Sequence, residues 1–274
     1  MTRKTVLITG AGSGIGRELA IEGAHRGYAL ILAGRTLAAL EETRDLAASD
    51  ACECVLADVT KPQGRAALCA ATAGNLDILI NNAGILSVGA LSVLDDDMLE
   101  RMLMTNLAAP IALCRDLLPA LRAAQGRVVN VGSVFGDIAY PYFAAYSATK
   151  FGLRGFSDAL RRELWGENVN VTYIAPRATK TGATGAFAAL VEPMDMTLDD
   201  ASRVAQQAWD AIEAGRKEAF PKGKERLFVR IQRMFPRLID RSVGPQAHSP
   251  AVLSALINAG LLTKEKSETS IHEL

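Results

Sequence analysis

The sequence predicts an α/β fold: a single doubly wound Rossmann domain, with a parallel seven-stranded sheet, helices on both faces and a C-terminal helical extension. Three observations predict it. Short apolar runs alternate with longer stretches at helical period. The first run, Thr5–Ile8, opens onto a glycine-rich turn and then a helix. Beyond residue 222 the pattern changes to apolar side chains opposed by arginines. This divides the chain into a Rossmann domain over residues 1–222 and an amphipathic helical extension over residues 223–274.

The composition bounds the function. A chain of 274 residues is long enough for one large domain with a full core. Its formal net charge is zero, which argues against a nucleic-acid partner. Hydrophobic residues make up 49% of the chain, yet no apolar run reaches the ~18 residues of a membrane span. Met1–Lys4 before an apolar run has only a superficial likeness to a signal peptide, because glycines break the run at once. Cys52, Cys54, Cys69 and Cys114 form no CxxC pair and are expected as buried thiols in a reducing cytoplasm. His25, His248 and His272 are scattered, so no metal site is expected.

In order, Thr5–Ile8 is the first strand. Thr9-Gly-Ala-Gly-Ser-Gly-Ile-Gly16 is the turn, and Arg17–Ala24 continues as a helix. Gly10 allows the tight turn, while Gly14 and Gly16 let backbone approach a pyrophosphate at the helix N-terminus. Tyr28–Ala33 is the second strand, and the residue ending it meets the adenosine ribose in such sites. Gly34 and Arg35 stand there instead of a carboxylate, which suits a 2′-phosphate and hence NADP(H). Cys52–Ala57 is the third strand, ending at Asp58-Val59. Leu76–Ile80 is the fourth, ending at Asn81-Asn-Ala-Gly84. Right-handed crossovers place these strand ends along one edge, where a ligand binds. Asp95–Glu100 opens a long helix with acidic residues in its first turn, and the helix carries Thr105, Asn106 and Pro110. Pro110 has no N–H for the carbonyl of Asn106, so a kink is expected there, with a second helix starting at Pro110 as the alternative. Gly126–Val131 is strand five, Asn168–Ile174 strand six, and Lys217–Pro221 a short seventh.

The chemistry centres on Tyr146-Ser-Ala-Thr-Lys150 and Ser133. Tyr146 and Lys150 share one helix face. A phenol is a poor base at neutral pH, and an ammonium beside it favours the phenolate. Ser133 can hydrogen-bond an oxygen whose charge is changing. These groups suit proton exchange on an alcohol or carbonyl oxygen, and a cofactor must carry the hydride.

TGxxxGxG at Thr9–Gly16, Asp58, NNAG at Asn81–Gly84, Asn106, Ser133 and YxxxK at Tyr146–Lys150 together resemble the classical short-chain dehydrogenases/reductases. The resemblance runs from about residue 4 to residue 181. It implies a catalytic set of Asn106, Ser133, Tyr146 and Lys150. In that set Tyr146 is the acid/base, Lys150 binds the nicotinamide ribose and lowers the phenol pKa, Ser133 orients the substrate oxygen, and Asn106 holds a relay water. The implied cofactor-binding set is Gly10, Ser13, Gly14, Ile15, Gly16, Arg35, Asp58, Val59, Asn82, Ala83, Gly84, Tyr146, Lys150, Pro176, Thr179 and Thr181. Arg177 stands where the family usually has glycine, Ala109 replaces another common glycine, and the usual glycine-rich ending after the last strand is missing.

These residues imply an NADP(H)-dependent oxidoreductase acting on a small hydrophobic secondary alcohol or ketone. A non-catalytic NADP(H)-binding sensor is the alternative. Phe135, Ile138, Tyr140 and Phe143, with Phe187, Leu190, Met194 and Met196, are expected to line an apolar substrate pocket, and a homo-oligomer is expected. In the extension, Leu227, Phe228, Ile231, Met234, Phe235 and Leu238 fall on one helical face. Arg226, Arg230, Arg233, Arg237 and Arg241 fall on the other, and Pro236 divides the helix. Residues 225–241 therefore suit either a peripheral contact with an anionic membrane or a lid or subunit contact whose apolar face packs on the domain. The tail after Lys264 is polar and expected to fray.

Overall fold

The computed structural model describes residues 3–221, 223 and 225–262, apart from the side chain of Glu225. His272 and the tail after Lys264 lie outside the described residues. β1 (Thr5–Thr9), α1 (Gly14–His25), β2 (Ala29–Gly34), α2 (Leu37–Ala47), β3 (Cys52–Leu56), α3 (Pro62–Ala71) and β4 (Ile78–Asn81) form the first half. α4 (Asp96–Leu103), α5 (Ala109–Ala123), β5 (Arg127–Val131), α6 (Ala144–Glu163) and β6 (Asn170–Ile174) follow. A two-residue strand β7 (Thr179–Lys180) then pairs, across α7 (Ala188–Val191), with β8 (Asp199–Asp200). α8 (Ala201–Glu213) leads to β9 (Glu218–Ala219), the short seventh strand of the main sheet.

Among the described residues the main sheet is parallel, seven-stranded and ordered β3-β2-β1-β4-β5-β6-β9. Its strands alternate between two cores because successive side chains point to opposite faces. Val6, Ile8, Leu30, Leu32, Ile78 and Ile80 pack under α1, α2 and α8. Leu7, Ile31, Leu79 and Val128 pack under α3, α5 and α6. The first core closes on Trp209, whose indole N–H donates to the carbonyl of Leu19 and whose ring stacks on Tyr28. The strand order reverses between β1 and β4, which opens a crevice at their carboxyl ends.

Three expectations change here. Only Cys114 is fully buried; Cys52, Cys54 and Cys69 are half-buried because β3 is an edge strand and α3 packs at the rim. Neither a sharp break nor a regular α-helix spans Asn106: a π-helical turn, Met104–Ala108, joins α4 to α5, with the N–H of Ala109 reaching the carbonyl of Met104. One extra residue in the turn relieves the missing N–H of Pro110 without ending the helix. In the extension, Pro236 does separate two helices, α9 (Glu225–Met234) and α10 (Pro236–Ala247), and α11 (Pro250–Asn258) follows. The apolar face is not packed on the domain, however. Val229 and Ile239 point inward, while Leu227, Phe228, Met234, Phe235 and Leu238 are exposed.

α10 and α11 close over the segment between β7 and β8. Tyr140 donates to the Gln246 side chain at 3.1 Å, and Gln246 donates to the carbonyl of Met194 at 3.0 Å. Val252 and Leu256 join Val88, Phe143, Phe187, Leu190 and Met194 in a separate apolar cluster.

Candidate active site

The crevice at the strand ends is a cleft of about 520 Å³. Gly10, Ser13, Gly14, Ile15, Arg35, Asp58, Val59, Asn82, Ala83, Gly84, Ser133, Tyr146, Lys150, Pro176, Thr179 and Thr181 all line it. Gly16 and Asn106 do not; they support the groups that do.

At one end, the glycine turn is shaped by the chain after β4. Thr9 Oγ1 accepts the N–H groups of Asn82 and Ala83, and the Asn82 amide donates to the carbonyls of Thr9 and Gly10. Gly10 has φ +65°, the left-handed region, and a Cβ on Gly16 would lie 2.1 Å from the carbonyl oxygen of Gly10. That absent Cβ lets the first turn of α1 sit against the strand end with its N–H groups toward the cleft. The geometry fits a pyrophosphate. Arg35 is exposed where the far end of the cleft begins. Burial pushes the Asp58 carboxyl up, but hydrogen bonds from Thr60 outweigh it and hold the group below its usual range. It is therefore a charged acceptor on the wall of the cleft.

At the other end, Ser133 follows β5 after Gly132 and caps a short turn, its oxygen accepting the N–H of Phe135 at 3.1 Å. That bond leaves the hydroxyl proton available for the cleft. Tyr146 and Lys150 stand one turn apart on α6, the amine 5.6 Å from the phenol ring centre. Burial pushes the Tyr146 phenol up to about 12, and the Ser133 hydroxyl beside it draws it back only in part. Burial likewise pulls the Lys150 amine down to about 8. The Lys150 amine donates to the carbonyl of Val131 at 3.1 Å, and the Ser133 hydroxyl stands beside the phenol.

Asn106 joins two segments. Its amide oxygen accepts the N–H of Ile85, and its amide nitrogen donates to the carbonyl of Ile85 and to Thr149. Through these bonds the side chain fastens the chain after β4 to α6. A Cβ on Gly84 would fall 3.3 Å from the Asn106 oxygen and 3.8 Å from the Lys150 amine, so the clamp sits beside Lys150.

Of the expected pocket wall, Phe135, Phe143, Phe187 and Met196 line the cleft. Ile138, Tyr140, Leu190 and Met194 do not, and Leu190 and Met194 are buried behind it. Arg177 pairs with Asp199 through two bonds of 2.7 and 2.8 Å, and Lys180 pairs with Asp200, so the segment between β7 and β8 is clasped at its base. Thr149 and Val131 were not expected from the sequence. A hydroxyl at 149 and a strand-end carbonyl at 131 carry no signal until α6 is laid against β5. Among the described residues no group of three or more His, Cys, Asp or Glu side chains is placed to hold a metal.

A family model described as short chain dehydrogenase matches residues 4–190. Dehydrogenase/reductase SDR family member 7B of Bos taurus is 38% identical over 230 residues, covering 78% of this chain and 71% of the relative. The 17-beta-hydroxysteroid dehydrogenase type 6 of Homo sapiens is 34% identical over 229 residues, covering 78% and 70%. A short-chain dehydrogenase from Sphingobium yanoikuyae, solved with NADPH, superposes with a TM-score of 0.74 at 28% identity, covering 86% of this chain and 96% of that one. A relative from Burkholderia phymatum, solved with NAD, gives 0.78 at 26% identity, covering 86% and 95%.

Proposed function

Since the chain belongs to the short-chain dehydrogenase/reductase family of oxidoreductases, we propose that it interconverts a hydrophobic secondary alcohol and its ketone with NADP(H). The observation that carries this reading is the meeting of Ser133, Tyr146 and Lys150 at one end of a cleft whose other end is the glycine turn. When bound, the nicotinamide supplies the hydride or takes it up. In reduction Tyr146 delivers a proton to the carbonyl oxygen, and Ser133 donates a hydrogen bond to the same oxygen as it gains charge. Lys150 spends one N–H on Val131 and has its remaining donors for the ribose hydroxyls. Arg35 would hold a 2′-phosphate, which would favour NADPH and lean the reaction towards reduction.

The substrate class rests on the wall of Phe135, Phe143, Phe187 and Met196, and the hydroxysteroid in a relative's name agrees with it. We assign residues 1–222 as the catalytic unit. In a homo-oligomer, Leu103, Met104, Ile111 and Phe151 would meet a second copy; they are exposed on neighbouring helices. We place the protein in the cytoplasm, with the exposed side chains of residues 225–241 touching an anionic membrane surface.

The test is NADPH oxidation with a panel of hydrophobic ketones, using the wild type and Tyr146→Phe. The variant keeps the ring and loses the proton, so turnover should fall by about 10²-fold or more while NADPH affinity changes little. Turnover within a few-fold of wild type would exclude Tyr146 as the acid.

A further inference from the structure

Behind Ser133, on the side away from the cleft, lies a buried ionic cluster. The turn that Ser133 caps ends at Asp137, whose side chain is 2% exposed. Its Oδ2 faces Arg154 at 3.5 Å. Arg154, on α6, also bonds Glu218 of β9 and lies 3.5 Å from Asp158. Its guanidinium stacks over the ring of Tyr173 at 4.8 Å. The Tyr173 hydroxyl in turn accepts the N–H of Ser133 at 3.4 Å and lies 3.3 Å from its carbonyl oxygen. A Cβ on Gly132 would fall 2.1 Å from that hydroxyl, so the turn rests directly on the ring. Ser133 is therefore held from behind by a stack of Tyr173, Arg154 and Asp137.

The stack is one cation short. Asp137, Glu218 and Asp158 draw on Arg154; Arg161 takes up Asp158, which leaves two carboxylates on one guanidinium. Burial already pushes the Asp137 carboxyl up. The missing charge arrives from the extension: Arg233 of α9 donates to Asp137 Oδ1 at 2.7 Å, across 96 residues of sequence. A charge-assisted bond to a buried carboxylate is strong, and removing one partner leaves the other buried and underpaired. Arg233 does not line the cleft, and half of its side chain is in solvent, so it is not part of the core.

Resting on the assignment of Ser133 as the hydrogen-bond donor, we infer that Arg233 is a positioning residue: by completing the cluster at Asp137, the C-terminal extension holds the Ser133–Asp137 turn in register with Tyr146. The extension is thereby a part of the catalytic apparatus at one remove. A displacement of the serine by a fraction of an ångström is enough to slow proton transfer without disturbing cofactor binding, because the glycine turn lies at the opposite end of the cleft.

The experiment uses the full-length chain with Arg233→Ala, Arg233→Lys, Asp137→Asn and the Arg233→Ala/Asp137→Asn double variant. Amide hydrogen exchange over residues 133–140 is read alongside kcat, ketone KM and the NADPH Kd. Arg233→Ala should speed exchange in that segment and lower kcat, each by roughly tenfold, with NADPH Kd within about twofold and exchange over residues 9–20 unchanged. Arg233→Lys should recover most of the loss, and Arg233→Ala should add little to Asp137→Asn. Unchanged exchange over residues 133–140, or an equal loss in both backgrounds, would overturn the inference. The exchange measurement needs no substrate. A wild type that reduces no ketone while Arg233→Ala still loosens the turn would refute the functional reading and not the strut.

Discussion

Lys150 is 4% exposed, and its amine is pulled down to about 8 from an ordinary 10.5 because burial disfavours the charge. The consequence for stability has a definite sign. Below pH 8 the amine is charged in both folded and unfolded chains, so folding bears the full cost of burying the charge. Between pH 8 and 10.5 the unfolded chain binds more protons, and this contribution to stability rises with pH. Replacing the amine with an uncharged side chain of similar length removes the cost. Lys150→Met should be more stable than wild type at pH 7, by up to roughly 3 kcal/mol, and the gap should close by about pH 10.5. The comparison must be between variants, because the cysteines and Tyr146, pushed up by burial, destabilise the fold in alkali. Urea unfolding at the two pH values measures it, and a gap independent of pH would show that the amine is not depressed. Arg35 gives a second residue-scale expectation. Arg35→Ala should weaken NADPH by about 10–100-fold and NADH far less, since a charge-assisted phosphate bond contributes ~1.5–3 kcal/mol. Titration calorimetry with the two cofactors reads it directly, and equal losses would remove the 2′-phosphate contact.

At the scale of elements, the extension does two unlike jobs. α10 and α11 lie over the segment between β7 and β8, through Gln246, Val252 and Leu256. α9 turns Arg233 and Val229 inward and leaves Leu227, Phe228 and Met234 outside. An apolar row rimmed by Arg226, Arg230, Arg237 and Arg241 matches an anionic bilayer in both hydrophobicity and charge. The double variant Phe228→Ser/Phe235→Ser touches only exposed positions, so it should fold and turn over normally. The intact protein should be carried down with phosphatidylserine vesicles at low salt, and the double variant should not. No sedimentation of the intact protein would dispose of the membrane contact. The helix from α4 to α5 shows where local reading stops. Pro110 signals a disturbance, yet whether the backbone breaks or absorbs an extra residue depends on what Asn106 grips. That partner, Ile85, belongs to another loop.

Across the whole molecule, the legible parts are those written in one stretch of chain. The run of Val6, Leu7 and Ile8 before Gly10, and the four-residue step from Tyr146 to Lys150, state their structure locally, and the strands and the cleft follow from them. The pairs Arg233–Asp137, Arg177–Asp199 and Asn106–Ile85 are not legible. Each is a common residue type whose partner is chosen by the path of the backbone, and nothing near it in sequence distinguishes it from a solvated charge or amide. The same limit explains the outward-facing Leu227 and Phe228: helical period tells which side chains share a face, and the docking angle of the helix decides which face is covered.

The order in which the cluster at Asp137 is assembled has a consequence during synthesis. Every strand of the sheet leaves the ribosome before residue 233 does, so the sheet can pair while Asp137 still lacks Arg233 and Phe187, Leu190 and Met194 still lack Val252 and Leu256. For that interval the nascent protein carries an open apolar face and an underpaired buried carboxylate. A chain stopped after residue 221 should reproduce that moment: it should keep its far-ultraviolet dichroism, bind a hydrophobic dye strongly and associate with itself or with a chaperone. Full-length protein under the same conditions should do none of these. Equal dye binding by the two would mean that the extension covers nothing the emerging domain needs covered.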